Sequence, residues 1–327
     1  MMKLSICIPT YNREKYLDEA LASIIGKVDE KLAGQVEICI SDNASTDGTD
    51  QLIHRWQANC PVQIVYSRNK ENMGADNNYL RVIELASGEY CWFFGSDDLL
   101  CEGGLRRMLE EIKTEKDIYL CNRVECDINM HLQRERYWLT PTEPQQIFRM
   151  SDEAEFLRYL NHAQSIGALF SYLSSIVFKR QRWDQYQIDP IFIGSAYSHV
   201  YMLLSFIADG CELVYVRDPL ILCRGQNDSF ESEGVVKRIM LDIEGYGMLA
   251  NKFFAENRVK KTAFLNVLKK DRPSIRTLIF IRLRTDDAMW KKIVPNFTAA
   301  QYRRIEIGLI GIAKPLLILL KKIRSTP

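Results

Sequence analysis

The chain has 327 residues, 47% hydrophobic and 26% charged, enough to bury a full core and to hold one large domain with an extension. Its formal charge of +1 hides an asymmetry: from Lys252 onward 18 Lys and Arg face 5 Asp and Glu, a net +13, leaving −12 for residues 1–251. Nine cysteines without CxxC or Cys/His spacing exclude a disulfide framework and a zinc ribbon, and read as reduced, buried thiols of a cytosolic protein.

The chain passes from Met2-Lys3 straight into an apolar stretch with no signal-peptide pattern, so nothing argues for export. Residues 4–9 read as a strand, and 16–25 as a helix with Leu17, Ala20, Leu21 and Ile24 on one face. Strands at 36–40, 63–67 and 90–94 alternate with helices at 50–59 and 77–86. That alternation predicts an α/β fold, a mostly parallel sheet wound with helices through right-handed crossovers. A helix over 103–113 and a strand over 117–122 follow, and the stretch 123–149, with Pro141 and Pro144, reads as a loop or hairpin beside the site.

The run Cys91-Trp-Phe-Phe-Gly-Ser96-Asp97-Asp98 carries the most chemistry. A buried strand that ends in two adjacent carboxylates places them where open α/β sheets bind ligands. Such carboxylates repel each other, and a divalent cation or a sugar hydroxyl is the fitting partner, with hard oxygen ligands suited to Mg2+ or Mn2+. The plainer reading is an exposed turn with Asp at cap positions ahead of Leu99 and Leu100. The loops after the earlier strands share this polar chemistry: Pro9-Thr10-Tyr11-Asn12-Arg13, then Ser41-Asp42-Asn43-Ala-Ser45-Thr46-Asp47-Gly48, then Arg68-Asn69 and Asn72-Met-Gly74. Singly each is good turn chemistry; together, at consecutive strand ends, they suit a planar base and a ribose, with Tyr11 able to stack. Neither a Walker A pattern nor GxGxxG follows any strand, which argues against a P-loop enzyme or a nicotinamide dehydrogenase.

Five ordered motifs resemble family 2 glycosyltransferases with the GT-A fold: Ser5-Ile-Cys-Ile-Pro9-Thr10-Tyr11-Asn12, Ile40-Ser-Asp42-Asn-Ala-Ser-Thr-Asp-Gly48, Asn72-Met-Gly74, Ala86-Ser-Gly88-Glu-Tyr and Phe94-Gly-Ser-Asp97-Asp98. The resemblance implies a sugar-nucleotide donor. Thr10, Tyr11, Asp42 and Arg68 would surround the base, Asp97 would touch the ribose, and Asp98 would ligate the metal, acting in catalysis. Pro9, Asn12, Arg13, Asn43, Ser96 and Arg224 complete the donor-binding set. More locally, Ser165-Ile-Gly167, Phe170-Ser-Tyr-Leu-Ser-Ser175, Ile193-Gly-Ser-Ala-Tyr-Ser-His199 and Leu222-Cys-Arg224-Gly-Gln-Asn-Asp228 are similar to abequosyltransferases of O-antigen assembly. This likeness implies a CDP-linked dideoxyhexose donor and an undecaprenyl-diphosphate-linked acceptor at the inner face of the cytoplasmic membrane.

Two departures from the wider family stand out. Where inverting members carry Glu-Asp, with the Asp as base, this chain has Ser198-His199, and His199 is the candidate acid/base; the alternatives are transfer without a base, or a histidine that only packs. Asp189, Tyr197 and Ser198 are its neighbouring candidates. Where relatives carry Arg-x-His, this chain has Arg224-Gly-Gln226, so Gln226 or Asp228 would complete the metal shell, and Arg224 holds either a diphosphate oxygen or a core acid.

From Val235 the pattern is helical. The apolar stretch 305–323 is flanked by Arg303, Arg304, Lys321, Lys322 and Arg324 and interrupted by Lys314-Pro315, too short to span a bilayer. Its two readings are an amphipathic helix over 303–324 on an anionic membrane surface and an ordinary core helix with a basic end. Nucleic acid is not expected, since no aromatic interleaving accompanies the basic residues. The expected domains are 1–234, catalytic, with a nucleotide-binding half 1–122 and an acceptor half 123–234, and a helical region 235–327. Two other classes remain: a nucleotidyltransferase that makes sugar nucleotides, although 9–13 lacks its glycine-rich basic loop, and a catalytically silent sugar-nucleotide binder.

Overall fold

A computed structural model describes residues 2–142, 146–227 and 234–318, and divides the chain into two compact units, Met1–Asp228 and Ser229–Pro327. The first unit begins as β1 (Leu4–Thr10), α1 (Glu14–Ile25), α2 (Glu30–Ala33), β2 (Val36–Asp42), α3 (Thr49–Asn59), β3 (Gln63–Arg68), α4 (Gly74–Glu84) and β4 (Tyr90–Phe93). It continues through β5 (Leu99–Leu100), α5 (Gly104–Glu111), β6 (Ile118–Cys126), β7 (Leu132–Arg136), β8 (Ile147–Arg149), α6 (Glu153–His162), β9 (Ile176–Lys179), α7 (Arg180–Trp183), α8 (Ser198–Ala208) and β10 (Glu212–Arg224).

The strands form one sheet in the order β3-β2-β1-β4-β9-β6-β10-β5, with β7 paired to β6 and β8 to β10. Its first four strands run parallel as the alternating pattern predicts, and β6 runs parallel to β10. The far half is mixed, because β9 pairs antiparallel with both β4 and β6, and β5 pairs antiparallel with β10. No pattern in the sequence announces β9, a four-residue strand delivered by two short 3-10 turns. The stretch 123–149 holds a hairpin: β6 runs four residues past its expected end and folds back as β7.

Both faces of the parallel half are covered, which is why β1 and β2 are buried at every position and read as continuous apolar runs. The stripe Leu17, Ala20, Leu21 and Ile24 of α1 packs into this core with Ile6, Ile8, Ile38 and Trp92. Buried Glu37 explains the Ala86-Ser-Gly motif. Its Oε1 accepts from the Ser5 hydroxyl at 2.6 Å, the Ser87 N–H at 2.6 Å and the Gly88 N–H at 3.2 Å, tying the entry of β4 to β1. A Cβ at Gly88 would sit 2.8 Å from the Ser5 backbone nitrogen, so only glycine fits there.

The second unit is helical: α9 (Val235–Phe254), α10 (Arg258–Asp271), α11 (Ser274–Arg282), α12 (Asp287–Ala299) and α13 (Arg304–Ile312). Its core holds Ile243, Tyr246, Leu249, Phe264, Leu268, Ile281 and Phe297, and buried Asp242 is neutralised by Arg238 at 2.6 Å and Arg272 at 2.5 Å. The amphipathic helix expected over 303–324 breaks at Ala313, at the interruption marked by Lys314-Pro315. Pro315 has no N–H for the Gly311 carbonyl, and Arg282 Nε takes that carbonyl instead at 3.0 Å. Residues 319–324 of the expected amphipathic end lie outside the described residues. Among the described residues no helix is long and apolar enough to cross a membrane.

Candidate functional site

Parallel pairing aligns the first three strand ends residue by residue. Thr10 registers with Asp42, and Asp42 with Arg68, so three of the expected base-binding residues form a line across the sheet edge. Their availability differs. Tyr11 is 42% exposed, the Arg68 side chain 47%, and Asn12 is exposed, whereas Pro9, Thr10, Asp42 and Asn43 are buried. The Thr10 hydroxyl is buried without a partner, an orphan polar atom of the kind that a ligand satisfies.

Asp42 and Asn43 are spent on the loop itself. Asp42 accepts the Ser45 N–H at 2.9 Å and the Tyr66 hydroxyl at 3.1 Å, and Arg68 lies 3.7 Å away. Asn43 donates to Asn72 Oδ1 at 2.7 Å and accepts the Met73 N–H at 2.9 Å, joining the second loop to the Asn72-Met-Gly turn. Asn12, at φ 51°, accepts the Thr46 N–H at 2.7 Å. The Asn-Ala-Ser-Thr-Asp-Gly pattern is thus largely turn chemistry, as its residue types also allow.

The aspartate pair leaves β4 into a tight corner. Gly95 permits it: a Cβ there would lie 2.7 Å from Asp98 Oδ2. Ser96 beside it is buried. Asp97 lies 3.9 Å from Arg13 and accepts from the Asn227 amide at 2.6 Å; Arg13 in turn donates to the Asn227 carbonyl at 3.2 Å, so the three residues form one network. Asp98 is 4% exposed, and its carboxylate accepts from the Tyr172 hydroxyl at 2.6 Å, the Ser174 hydroxyl at 2.5 Å and the Arg224 N–H at 3.2 Å. Burial, and then the charge of Asp97, push the Asp98 carboxyl up to about 7 against the pull of the Ser174 and Tyr172 hydrogen bonds. Burial also raises Asp97, opposed by Arg13 and Asn227.

Arg224 is a strut rather than a free fork. Its Nε donates to the Asp97 carbonyl at 3.0 Å, Nη1 to the Ile128 carbonyl at 2.7 Å and Nη2 to Glu19 at 2.5 Å, and the guanidinium lies 4.8 Å from the Tyr16 ring. The acid it meets is Glu19, a partly exposed residue of α1 whose side chain is 38% exposed. Gln226 is exposed at φ 58°, and Asp228 lies outside the described residues. Among the described residues no three His, Cys, Asp or Glu side chains gather as a metal cluster.

His199 stands inside the first turn of α8 and is 2% exposed. Its Nε2 faces the Phe170 carbonyl at 3.0 Å, its ring meets those of Tyr79 and Phe93 edge-on, and its Nδ1 is buried without a partner. Burial lowers its pKa to about 4, against the opposing pull of Asp76 and Phe170, so the imidazole is neutral at pH 7. This geometry describes a packing group, the plainer of the two readings of this residue. Nor do its neighbours offer an open base: Ser198 and Tyr197 are buried, and Asp189 caps the 3-10 turn at 190–192.

Sequence reasoning missed Tyr172, Ser174 and Asn227 as partners of the aspartates. They lie 74 to 130 positions away, and no local signal joins them.

Strand ends lined with hydroxyls and amides, leading to an aspartate pair on an α/β sheet flanked by helices, are the arrangement of a GT-A glycosyltransferase, and the comparisons bear that class out. The fold is that of TarS from S. aureus solved with UDP-GlcNAc, at TM-score 0.64 and 14% identity over 96% of this chain and 92% of that one. The mannosyltransferase PcManGT of Pyrobaculum calidifontis, solved with GDP-Man and Mn2+, superposes at TM-score 0.53 and 15% identity over 95% of this chain and 86% of that one. Residues 5–177 match the model of glycosyl transferase family 2, and the chain belongs to that family. It is 45% identical over 281 residues to the abequosyltransferase RfbV of Salmonella typhimurium, covering 85% of this chain and 83% of that protein. The chain is a hexosyltransferase.

Proposed function

We propose that this enzyme moves abequose or a related dideoxyhexose from a CDP-sugar to a hydroxyl of an undecaprenyl-diphosphate-linked O-antigen oligosaccharide, at the inner face of the cytoplasmic membrane. The observation that carries the reading is the 45% identity to an abequosyltransferase across both units of the chain. Tyr11, Arg68 and the orphan Thr10 hydroxyl hold the nucleoside, and Arg13 and Asp97 meet it from the other side. A cleft lined by Arg123, Glu125, Gln133, Arg134 and Cys223 is the candidate place for the acceptor glycan.

A Mg2+ or Mn2+ ion fits Asp98. Such ions bind through one or two carboxylates and complete their shell with water and substrate phosphate oxygens, so a single acid suffices without a protein cage. When bound, the ion neutralises the departing nucleoside diphosphate. The chain's own residues keep Asp98 aimed and shield it from bulk water, where electrostatic stabilisation is strongest. The exposed apolar side chains of Ile305, Leu309, Ile312 and Leu316, next to basic Arg303 and Arg304, are the surface offered to anionic lipid. A peripheral enzyme there meets its lipid-linked acceptor in two dimensions.

The test is transfer to a lipid-linked oligosaccharide from CDP-, UDP-, GDP- and dTDP-sugars, with Mn2+ or with chelator. Turnover confined to CDP-dideoxyhexoses and stopped by chelator is expected. Preference for another nucleotide overturns the donor; pyrophosphate release from a triphosphate would make the protein a nucleotidyltransferase.

A further inference from the structure

Asp98 takes its orientation from a segment remote in sequence. Tyr172 and Ser174 both donate to Oδ2, at 2.6 and 2.5 Å, while among the described residues Oδ1 accepts only the Arg224 N–H, at 3.2 Å. A carboxylate oxygen offers about two lone-pair directions. Those of Oδ2 are therefore used, and one remains at Oδ1.

Both donors are held by the core. The Tyr172 ring lies 4.2 Å from the Arg123 guanidinium and packs at 46° on Trp138. Trp138 is itself pinned by its indole N–H to the Cys121 carbonyl at 2.7 Å and the Ser175 hydroxyl at 3.0 Å. The Ser174 hydroxyl accepts the Gly95 N–H at 2.7 Å, which fixes its oxygen while its proton goes to Asp98. The Ser174 carbonyl receives the Trp92 indole N–H at 2.8 Å. Two hydroxyls converging on one oxygen, each locked from behind, make an arrangement more specific than burial requires.

We infer that Tyr172 and Ser174 are positioning residues that saturate Oδ2 and so present Asp98 to a divalent cation through Oδ1 alone. This rests on the proposed metal role of Asp98. The consequence is selectivity. Ca2+ readily takes both oxygens of a carboxylate, whereas Mg2+ and Mn2+ sit in a stricter octahedron. A carboxylate with one oxygen closed therefore favours the smaller ions.

The test uses the full chain with whichever of CDP, UDP, GDP or dTDP raises its melting temperature most, and reads Mn2+ binding by the electron paramagnetic resonance of the free ion, with Ca2+ as competitor. Tyr172→Phe keeps the ring packing, and Ser174→Ala removes the second hydroxyl. Each is expected to weaken Mn2+ on the order of 10- to 100-fold, as loss of an outer partner of a metal ligand does, while Ca2+ weakens less and the Mn2+/Ca2+ ratio falls. Mn2+ affinity within about twofold of the parent, or equal loss for both ions, overturns the positioning role while leaving the metal reading standing. If Asp98→Asn binds Mn2+ as the parent does, or the parent binds none, the metal reading falls and takes this inference with it. Should Ser174→Ala fail to fold, Tyr172→Phe decides alone.

Discussion

A histidine at the start of a helix near an expected acceptor site invites a catalytic reading, and its surroundings argue against it. The His199 imidazole is enclosed by Tyr79, Phe93 and the Phe170 carbonyl, and burial holds its pKa at about 4. His199→Gln keeps a donor for Phe170 and is expected to retain transfer within about tenfold, whereas loss of a general base costs roughly 100- to 10,000-fold. Steady-state rates settle this. The folded state resists protonating His199 while the unfolded chain takes the proton near pH 6.5, so its contribution to stability is present above that pH and lost as pH falls toward 4. Melting curves from pH 7 to 4.5 should therefore fall more steeply for the parent than for His199→Gln, by at most about 1.4 kcal/mol per pH unit.

At the level of elements, one buried acid joins the two sides of the site. Asp76 in the first turn of α4 accepts the N–H groups of Gly194 at 2.7 Å, Ala196 at 2.9 Å and Ser198 at 3.0 Å, and so holds the loop that leads into α8. Gly194 and Ala196 have φ of 91° and 66°, conformations that this anchor sustains. Asp76→Ala leaves three N–H groups and a cavity. It is expected to destabilise the protein by about 3 kcal/mol, read from denaturant midpoints, given roughly 1.5–3 kcal/mol for a hydrogen bond to a charged group and partial rescue by water. It should also speed amide hydrogen exchange at 194–198 ahead of the rest of α8.

For the molecule as a whole, the proposed membrane surface joins the charge split to the exposed apolar side chains of the second unit. In α13, Ile307 and Ile310 pack inward while Ile305 and Ile312 are 76% and 80% exposed, which gives an outer face to a helix that also serves the core. Each such side chain gains about 1.5–3 kcal/mol when it leaves water, and the net +13 from Lys252 onward adds attraction to anionic headgroups. Ile305→Glu with Ile312→Glu is expected to lower co-sedimentation with phosphatidylglycerol vesicles at least tenfold while leaving transfer to a water-soluble acceptor unchanged. Binding equal to that of the parent would reject the membrane surface.

Much of this was legible along the chain. The parallel strands, the helices between them, the closing helical unit and the Asp97-Asp98 corner follow from local pattern, because the period of apolar residues and the chemistry of turns act over a few positions. Arg224, Asp42 and His199 were legible only as residue types. Whether a guanidinium grips Glu19 or a ligand, whether a carboxylate faces its own loop or a base, and whether an imidazole meets solvent or aromatic rings are questions of exposure. Exposure is set by which distant segments pack together. The hydroxyls that aim Asp98 arrive from 74 and 76 residues downstream, through the antiparallel strand β9 that no periodicity revealed. Short-range chemistry in the sequence determined the family and the sheet edge where its polar motifs gather; long-range packing alone decided the partners of each group placed there.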